Sequence, residues 1–329
     1  MPVLSTLQTQ YSAVGLCLDT RDRGGKIDGG ATWQCSLADA CRFVAEAAAF
    51  VSSDYCAEAA VLPRPAGLRI SGLEPFDRLP DLRAVVALAA SNGFIVDVHT
   101  TGMWATTPTI ATDILTSFEG RITILSIYTS EELLQNGGTE YIANVIRAAK
   151  AVGVAISLDC IVGNGLPIPA ALLEMDILNS ESSMVRFLPH SQLLDGRSPP
   201  GPSAELLLSK PPRYRRCAEY MAIMISPRGD VYPCSRGMGV ESLALGTLSS
   251  EPLEAIVRRA SDSRALRSFR DSGPYWLYDR IEASPESSRL YRGYVDSCHF
   301  HRHVMMDPML AAYVNPPPST GPRRLPVVE

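Results

Sequence analysis

The sequence predicts an α/β fold in which parallel strands alternate with helices, followed by a smaller C-terminal unit. Three observations support this prediction. Short apolar segments typical of strands alternate with amphipathic helical segments six times before residue 190. The strand segments are apolar along their whole length, as in parallel sheets that are buried on both faces and joined by helical crossovers. After residue 190 the alternation stops, and a segment rich in Pro, Ser and Gly follows.

The predicted elements of the first part can be bounded from their flanking residues. The strands are residues 13–20, 67–72, 94–102, 121–129, 154–163 and 183–190. The helices between them are residues 36–51, 79–93, 108–118, 138–153 and 169–178. Ser36 and Asp39 form a capping box at the first helix, and Gly93 and Gly153 end two others. Six units are too few for a closed eight-stranded barrel, so a partial barrel and a doubly wound sheet both stay open.

The C-terminal part has a different texture. Residues 191–216 are interpreted as a linker or wrapping loop. Residues 221–234 are interpreted as a β-hairpin, because two apolar runs flank Pro227–Gly229. Two helices are predicted beyond it, over residues 252–260 and 262–271. The Pro-rich end, residues 311–329, is predicted to be a disordered or surface-bound tail.

Composition and charge exclude several classes of function. The chain of 329 residues has a net charge of −5 and no long basic run, which argues against DNA or RNA as the principal partner. No apolar run approaches the roughly 20 residues of a membrane span. The N-terminus lacks the plan of a secretion signal, so a cytoplasmic protein is expected. In that compartment the eight cysteines are expected to be free thiols or ligands of a metal or cluster rather than disulfides.

Polar residues follow several predicted strands directly. "SGLEP" (71–75) follows the second strand, "HTTG" (99–102) the third, and "CIVGNG" (160–165) overlaps the end of the fifth, while Ser126 lies in the fourth. In parallel α/β folds the ligands bind at the carboxyl ends of the strands. We therefore expect the functional site at this edge, with Glu74 among its residues.

With these stretches the sequence resembles the radical S-adenosylmethionine enzymes. In that family the second strand ends in a Gly-Gly-Glu-Pro-like stretch that contacts the amino end of the methionine moiety. The resemblance implies that Ser71, Gly72 and Glu74 contact the ammonium group of S-adenosylmethionine. It also implies roles for Thr101, in place of the family's Thr-Asn-Gly, and for Ser126 near the ribose. A carboxylate and carbonyl oxygens suit an ammonium group, which has three donors and no acceptor.

One residue departs from the family's pattern in this stretch. Leu73 stands where the family usually has its second glycine. The alternative reading of Glu74–Pro75 is the start of a helix, where the helix dipole favours an acid.

The N-terminal cysteines also depart from the family, whose catalytic cluster is bound by Cys-x3-Cys-x2-Cys after the first strand. This chain has "TWQCSLADAC" instead. Three readings stay open. Cys35 and Cys41 bind a cluster with a remote third ligand, for which Cys17 and Cys56 are the candidates. Asp39 is a ligand, although carboxylates suit iron–sulfur centres poorly. The catalytic cluster has been lost, and the fold has another use.

The C-terminal cysteines resemble those of a SPASM or twitch domain, which holds an auxiliary iron–sulfur cluster. Eleven residues separate Cys217 from Gly229, and four separate Gly229 from Cys234, within "ISPRGDVYPC". The further ligand pair implied by the resemblance is Cys298 with His301, in "DSCHFHRH". Imidazole can replace a thiolate on a cluster iron and raise its reduction potential.

The resemblance covers residues 11 to 305 approximately and implies a domain plan. Residues 1–190 would form a partial (βα)6 TIM-like barrel, residues 191–216 a linker, and residues 217–310 a small twitch or SPASM-like iron–sulfur domain. The tail, residues 311–329, would follow.

The resemblance also implies an activity. A reduced 4Fe-4S cluster in this family cleaves S-adenosylmethionine to methionine and a 5′-deoxyadenosyl radical, which abstracts hydrogen from the substrate. The expected outcome is oxidation of, or sulfur insertion into, a small natural-product intermediate or a peptide, with electrons from an external donor and an auxiliary 4Fe-4S cluster assisting. The alternative is a protein without the catalytic cluster that acts as a binding or partner subunit, or as a non-radical enzyme.

Overall fold

The computed structural model describes most of the predicted elements. The described residues are 13–21, 32–58, 61–62, 64–130, 133, 137–162, 183–189, 222–262, 273–294 and 297–314. The predictions for the helix at 169–178, for the linker, for Cys217 and for all but the first residue of the helix at 262–271 lie outside these residues.

The strands and helices are numbered in chain order. The strands are β1 Ala13–Cys17, β2 Asp19–Arg21, β3 Thr32–Gln34, β4 Gly67–Ser71, β5 Ile95–Thr100, β6 Ile124–Ser130, β7 Ala155–Val162, β8 Ser183–Pro189, β9 Ala222–Ile225, β10 Asp230–Tyr232 and β11 Gly246–Thr247. The α-helices are α1 Leu37–Ser52, α2 Asp54–Glu58, α3 Leu79–Ser91, α4 Pro108–Thr116, α5 Thr139–Val152, α6 Leu253–Asp262, α7 Gly273–Glu282, α8 Ser297–Met306 and α9 Pro308–Val314. Four short 3-10 helices are Pro75–Arg78, Ser235–Gly237, Glu241–Leu243 and Pro285–Arg289.

The main sheet contains the six predicted strands in chain order. Within the described residues its strand order is β11-β10-β9-β1-β4-β5-β6-β7-β8, with β1 and β4 to β8 all parallel. The α/β class is confirmed, and the sheet is open, with β11 at one edge and β8 at the other. The more specific expectation of a partial TIM-like barrel stays a prediction.

One face of the sheet carries the larger core. Leu68, Val96 and Leu125 share this face by register and pack with helix residues such as Phe43 of α1 and Val145 of α5. Residues of α3 and α4 belong to the same core. The long helices α1, α3, α4 and α5 therefore pack on this one face.

The opposite face, called the inner face below, is more polar. Gly15, Arg69 and Asp97 are neighbours across β1, β4 and β5, and Ser126 and Ser157 are neighbours across β6 and β7. Alternation along β6 places Ser126 on the same face as Ile124, which pairs with Asp97. The inner face is thus the side of the sheet from which polar groups can meet a ligand.

The predicted hairpin forms, but it belongs to the main sheet. β9 and β10 are antiparallel around the turn at Gly229, as predicted, while β9 also pairs in parallel with β1. A second core lies beyond it, in which Met224 packs with helix residues such as Phe300 and Leu310. The side chain of Met224 lies over Gly15 of β1, and the glycine leaves room for it. A Cβ at position 15 would come within 2.1 Å of the Met224 Sδ.

The predicted tail starts too early. Residues 311–314 belong to α9 rather than to a disordered segment, because Leu310 is fully buried in the second core and anchors this helix. Residues 315–329 lie outside the described residues.

One small sheet was not predicted. β2 and β3 pair antiparallel, with Asp19 opposite Gln34, and they form a two-stranded sheet between β1 and α1. As a result, Cys35 returns to the carboxyl end of β1 before α1 begins.

No helix among the described residues has both the length and the apolar character that a membrane crossing requires.

Candidate functional site

The turn after β4 is held in place by Glu74. The carboxylate accepts hydrogen bonds from the hydroxyl of Thr100 (2.8 and 2.9 Å to its two oxygens) and from both the N–H (2.9 Å) and the hydroxyl (2.6 Å) of Thr101. It also accepts from the N–H of Phe76 at 3.2 Å, as N-cap of the 3-10 helix. We call this arrangement the Glu74 clasp; it ties the turn after β4 to the carboxyl end of β5.

The clasp occupies the acceptor sites of the carboxylate. Two ionised oxygens offer about four lone-pair positions, and four donors reach them: the Phe76 N–H, the Thr101 N–H and the hydroxyls of Thr100 and Thr101. The side chain is 8% exposed, and burial raises its pKa, although the donors from Thr101, Thr100 and Phe76 pull the pKa back down. The helix-start reading of Glu74 is therefore what the structure shows, and contact with an ammonium group stays a prediction.

Two aromatic rings cover the clasp. The ring of Phe76 stacks on that of Trp104, with centroids 4.2 Å apart. Trp104 also donates its indole N–H to the Thr100 hydroxyl at 2.8 Å. Glu74 and Thr100 are 8% and 3% exposed, and hydrogen bonds in such a buried environment are stronger than in water.

A second carboxylate lies at the same turn. Asp19 follows β1, and its Oδ1 accepts from the N–H of Leu73 at 2.5 Å. Gly72 makes this approach feasible, because a Cβ there would lie 2.3 Å from the same oxygen. Sequence reasoning missed Asp19; the signal was an acid at the end of an apolar strand, where ligands bind in parallel folds.

Three cysteines lie on the chain segments β1 and α1 and the residues just before α1, which adjoin this turn. Cys17 ends β1, Cys35 precedes α1, and Cys41 lies in the second turn of α1. Burial raises the pKa of Cys17 to about 12, with Asp19 and Cys35 adding to the rise. Burial also raises the pKa of Cys35 to about 11, with Asp39 and Cys41 adding to it. Cys35 is thus the central thiol, electrostatically coupled to both of the others.

The remaining N-terminal candidates have other roles in the structure. Asp39 interacts with the helix cap: Ser36 Oγ accepts from the N–H of Asp39 at 3.0 Å, and the Ser36 hydroxyl donates to Asp39 Oδ2 at 2.7 Å. Arg42 pairs with the other Asp39 oxygen at 2.9 Å. Cys56 lies in α2, beyond the far end of the 16-residue α1, and is buried in the larger core. Of the two remote candidates, the structure brings Cys17 to Cys35.

The inner face carries a buried ionic network centred on Asp97. Its Oδ2 pairs with Arg69 Nε at 3.0 Å and lies 3.4 Å from His99 Nε2. Its Oδ1 accepts from the hydroxyl of Ser126 at 2.7 Å. In the described part of the chain no partner reaches the buried hydroxyl of Ser157, the neighbour of Ser126 on β7.

The charges around Asp97 fix its protonation state. Burial by itself would raise the pKa of Asp97, but the bond and charge of His99, the Arg69 guanidinium and the Ser126 hydroxyl lower it well below its usual range. Asp97 is therefore expected to be ionised at neutral pH. Since Ser126 commits its proton to Asp97, its oxygen can only accept from a further partner.

The other three residues predicted to contact S-adenosylmethionine can also be located. Ser71 ends β4 and donates weakly to Leu16 O at 3.4 Å. Thr101 has both its N–H and its hydroxyl engaged by Glu74. Ser126 is 1% exposed within the Asp97 network.

The C-terminal candidates lie in the second core region. Cys234 is the N-cap of the 3-10 helix Ser235–Gly237, which packs against α8, the helix that carries Cys298 and His301. Cys298 and His301 are three residues apart and therefore share one side of this helix. Both cysteines are partly exposed.

The other histidines of α8 pack among tyrosines. The ring of His303 stacks on Tyr291 with centroids 3.6 Å apart, and its Nδ1 lies 2.9 Å from the hydroxyl of Tyr294. Burial lowers the pKa of His303 to about 4. His303 is thus a neutral core residue.

The cysteine and histidine side chains are of the kinds that bind iron–sulfur clusters, but the described side chains do not form a complete binding site. Among the described residues no group of three or more Cys, His, Asp or Glu side chains is close enough to hold a metal ion. The thiols of Cys17, Cys35 and Cys41 are soft ligands of the right kind. The predictions that these residues, and Cys217, Cys234, Cys298 and His301, bind clusters stay predictions.

Comparisons with known proteins leave the family open. No protein-family model matches the chain, and no curated protein matches it. Among solved structures, Streptococcus suis SuiB aligns at 12% identity over 87% of this chain and 77% of that chain, with a TM-score of 0.40. SuiB bound to S-adenosylmethionine aligns at 12% identity over 88% and 77%, also with a TM-score of 0.40. At this TM-score the likeness carries no argument about function.

Proposed function

We propose that the protein is a radical S-adenosylmethionine enzyme with two iron–sulfur clusters. One observation carries the proposal. Leu18 N donates to Ser71 O at 2.8 Å, and Cys35 N donates to Leu18 O at 2.7 Å. These two backbone bonds connect the turn that resembles the family's S-adenosylmethionine motif to the central thiol of the cysteine group.

The location agrees with the chemistry that the proposal needs. The turn and the thiols lie at the carboxyl end of β1 and β4, the edge where parallel α/β folds bind ligands. Cys17, Cys35 and Cys41 would hold the catalytic cluster. Their burial favours the neutral thiol, so these residues bind iron by exchanging protons for metal, and binding is expected to strengthen as the pH rises.

The inner face is the proposed place for the substrate. Asp97 and Arg69 form a fixed ion pair there, and Ser126 offers an acceptor oxygen. A small natural-product intermediate or a peptide with hydroxyl or amine donors would complement these groups. The electrons come from an external donor, and the outcome is oxidation or sulfur insertion.

The auxiliary cluster is proposed at Cys217, Cys234, Cys298 and His301. Cys234 and the pair on α8 come from chain segments that pack against each other. This contact supports the resemblance to a twitch or SPASM unit.

The test is anaerobic reconstitution with iron and sulfide, followed by an iron count and paramagnetic resonance. Two four-iron clusters give about eight irons per chain, with a signal that shifts when S-adenosylmethionine is added. Cys35→Ala is expected to remove about four irons together with the shifting signal. The matched control is Cys56→Ala, a buried cysteine at the other end of α1, which keeps both. A full iron count in the Cys35→Ala protein would contradict the proposal.

A second candidate is a protein that keeps only the auxiliary cluster. It is favoured by the Glu74 clasp, which occupies the family's ammonium-binding carboxylate, and by the lack of a three-ligand group among the described side chains. This protein would be a binding or partner subunit, or a non-radical enzyme. The wild type would then hold about four irons, would lose them in Cys234→Ala, and would show no response to S-adenosylmethionine.

A further inference from the structure

Asp19 is a buried carboxylate whose acceptor capacity is only half used. It is 9% exposed, and Oδ1 accepts from Leu73 N. Within the described residues no donor reaches Oδ2, and this oxygen is not enclosed by protein. Oδ2 is therefore an acceptor at the surface of a largely buried carboxylate, open to water or to a donor group of a ligand.

Gly72 shows that the close approach of Asp19 to the turn is built in. Its missing Cβ would lie 2.3 Å from Oδ1 and 3.3 Å from Cγ of Asp19. Any other residue at position 72 would push the carboxylate away from the turn. The backbone is therefore shaped around the Asp19 carboxylate.

The two acids at this turn differ in what remains for a ligand. Among the described residues four donors reach the carboxylate of Glu74, whereas one reaches that of Asp19. An ammonium group that approached Glu74 would have to displace Thr100 or Thr101. At Asp19 it would find an acceptor oxygen that needs no rearrangement.

We propose that Asp19, rather than Glu74, accepts the hydrogen bond from the α-ammonium group of S-adenosylmethionine. The inference rests on the proposed function, and it assigns recognition of the ammonium group to Asp19 in place of Glu74. Glu74 shapes the turn through the clasp, and Asp19 supplies the negative charge that meets the ligand.

The experiment is anaerobic titration calorimetry of the reconstituted protein with two probes. S-adenosylmethionine carries the ammonium group, whereas 5′-methylthioadenosine lacks the whole amino-acid part. The variant is Asp19→Asn, which keeps an oxygen acceptor for Leu73 N and removes only the charge. The matched control is Asp77→Asn, an exposed acid on the 3-10 helix of the same turn.

A charge-assisted hydrogen bond is lost in Asp19→Asn, so its Kd for S-adenosylmethionine is expected to rise roughly 10- to 100-fold. Its Kd for 5′-methylthioadenosine stays within about twofold of the wild type. Asp77→Asn leaves both values unchanged. The change is selective because only one probe has the group that Asp19 contacts.

Three results would overturn the inference while the proposed function stands. They are an unchanged Kd for S-adenosylmethionine in Asp19→Asn, equal weakening of both probes, and selective weakening in Glu74→Gln in place of Asp19→Asn. If wild-type protein binds neither probe, the proposed function fails and the inference fails with it.

Discussion

Glu74, at the turn after β4, and Asp97, within β5, are equally buried, yet their pKa values shift in opposite directions. Each is 8% exposed. Glu74 is surrounded by neutral donors from Thr100, Thr101 and Phe76, so burial dominates and its pKa rises. Asp97 lies beside Arg69 and His99, whose charges outweigh burial and lower its pKa.

The difference shows that burial alone does not decide what an acid does in this site. Neutral hydrogen-bond donors hold a carboxylate in place, whereas charged neighbours also fix its ionisation. The Glu74 clasp is thus a structural device at the edge of the sheet. The Asp97 network is a feature of the inner face that is charged at neutral pH, and its variants are expected to have the larger effects.

The largest expected effect is that of Asp97→Asn. The change leaves the partly buried guanidinium of Arg69 without its anion, which costs about 3 kcal/mol of unfolding free energy. Urea denaturation at neutral pH measures it. The control is Glu254→Gln, which breaks an exposed pair with Arg258 and is expected to cost less than about 0.5 kcal/mol. Equal losses in the two variants would mean that the Asp97 network is no stronger than a surface pair.

A smaller loss is expected for Glu74→Gln. An amide has one acceptor oxygen, so it can satisfy either Phe76 N or Thr101 N, which bind different oxygens of Glu74. One buried N–H is left unpaired, which costs about 1 to 2 kcal/mol in the same denaturation assay. A variant as stable as the wild type would show that the clasp contributes nothing to folding.

The two acids are also expected to give opposite pH dependences. Because folding lowers the pKa of Asp97, its contribution is present above the ordinary value of 3.8 and is lost as the pH falls towards the folded pKa. Because folding raises the pKa of Glu74, its contribution is present below the ordinary value of 4.5 and is lost as the pH rises through the folded pKa.

The measurement is the unfolding free energy of wild type and both variants between about pH 3.5 and 7, where one proton corresponds to about 1.4 kcal/mol per pH unit at most. The difference between wild type and Asp97→Asn should shrink at the acid end. The difference between wild type and Glu74→Gln should shrink as the pH rises. Parallel curves would contradict the assignment of the two environments.

The smallest effects separate two neighbouring hydroxyls of the inner face. Ser126→Ala loses the hydrogen bond to Asp97 and is expected to cost about 1 to 2 kcal/mol. Ser157→Ala removes a buried hydroxyl that no described residue pairs with, so stability stays within about 0.5 kcal/mol or rises. Thermal melting of the two variants compares them. A larger loss for Ser157→Ala would place an unrecognised partner on that hydroxyl.

Much of the fold could be predicted because its strands and helices have clear local patterns. The apolar run that forms β5 and the N-cap at Ser36 are readable from neighbouring residues alone. Strand pairing is not local. The parallel contact of β9 with β1, and hence the union of the hairpin with the main sheet, joins residues more than two hundred positions apart.

The site was predicted less completely for the same reason. The turn at Gly72 was found, since it follows a strand directly. Which acid faces a ligand depends on the register that sets Cys17 beside Ser71 and so brings Asp19 to Leu73. The occupation of Glu74 depends on Thr100, which is 26 residues away. Neither the contact of Asp19 with Leu73 nor that of Thr100 with Glu74 can be predicted from the spacing of these residues in the sequence.

The proposed radical chemistry is tested most directly by the product of S-adenosylmethionine cleavage. Reconstituted protein is reduced with dithionite in the presence of S-adenosylmethionine, and 5′-deoxyadenosine is quantified by chromatography and mass spectrometry. The account predicts 5′-deoxyadenosine from the wild type and from Cys56→Ala, and none from Cys35→Ala. Wild-type protein that is fully loaded with iron and binds S-adenosylmethionine, yet releases no 5′-deoxyadenosine, would contradict it.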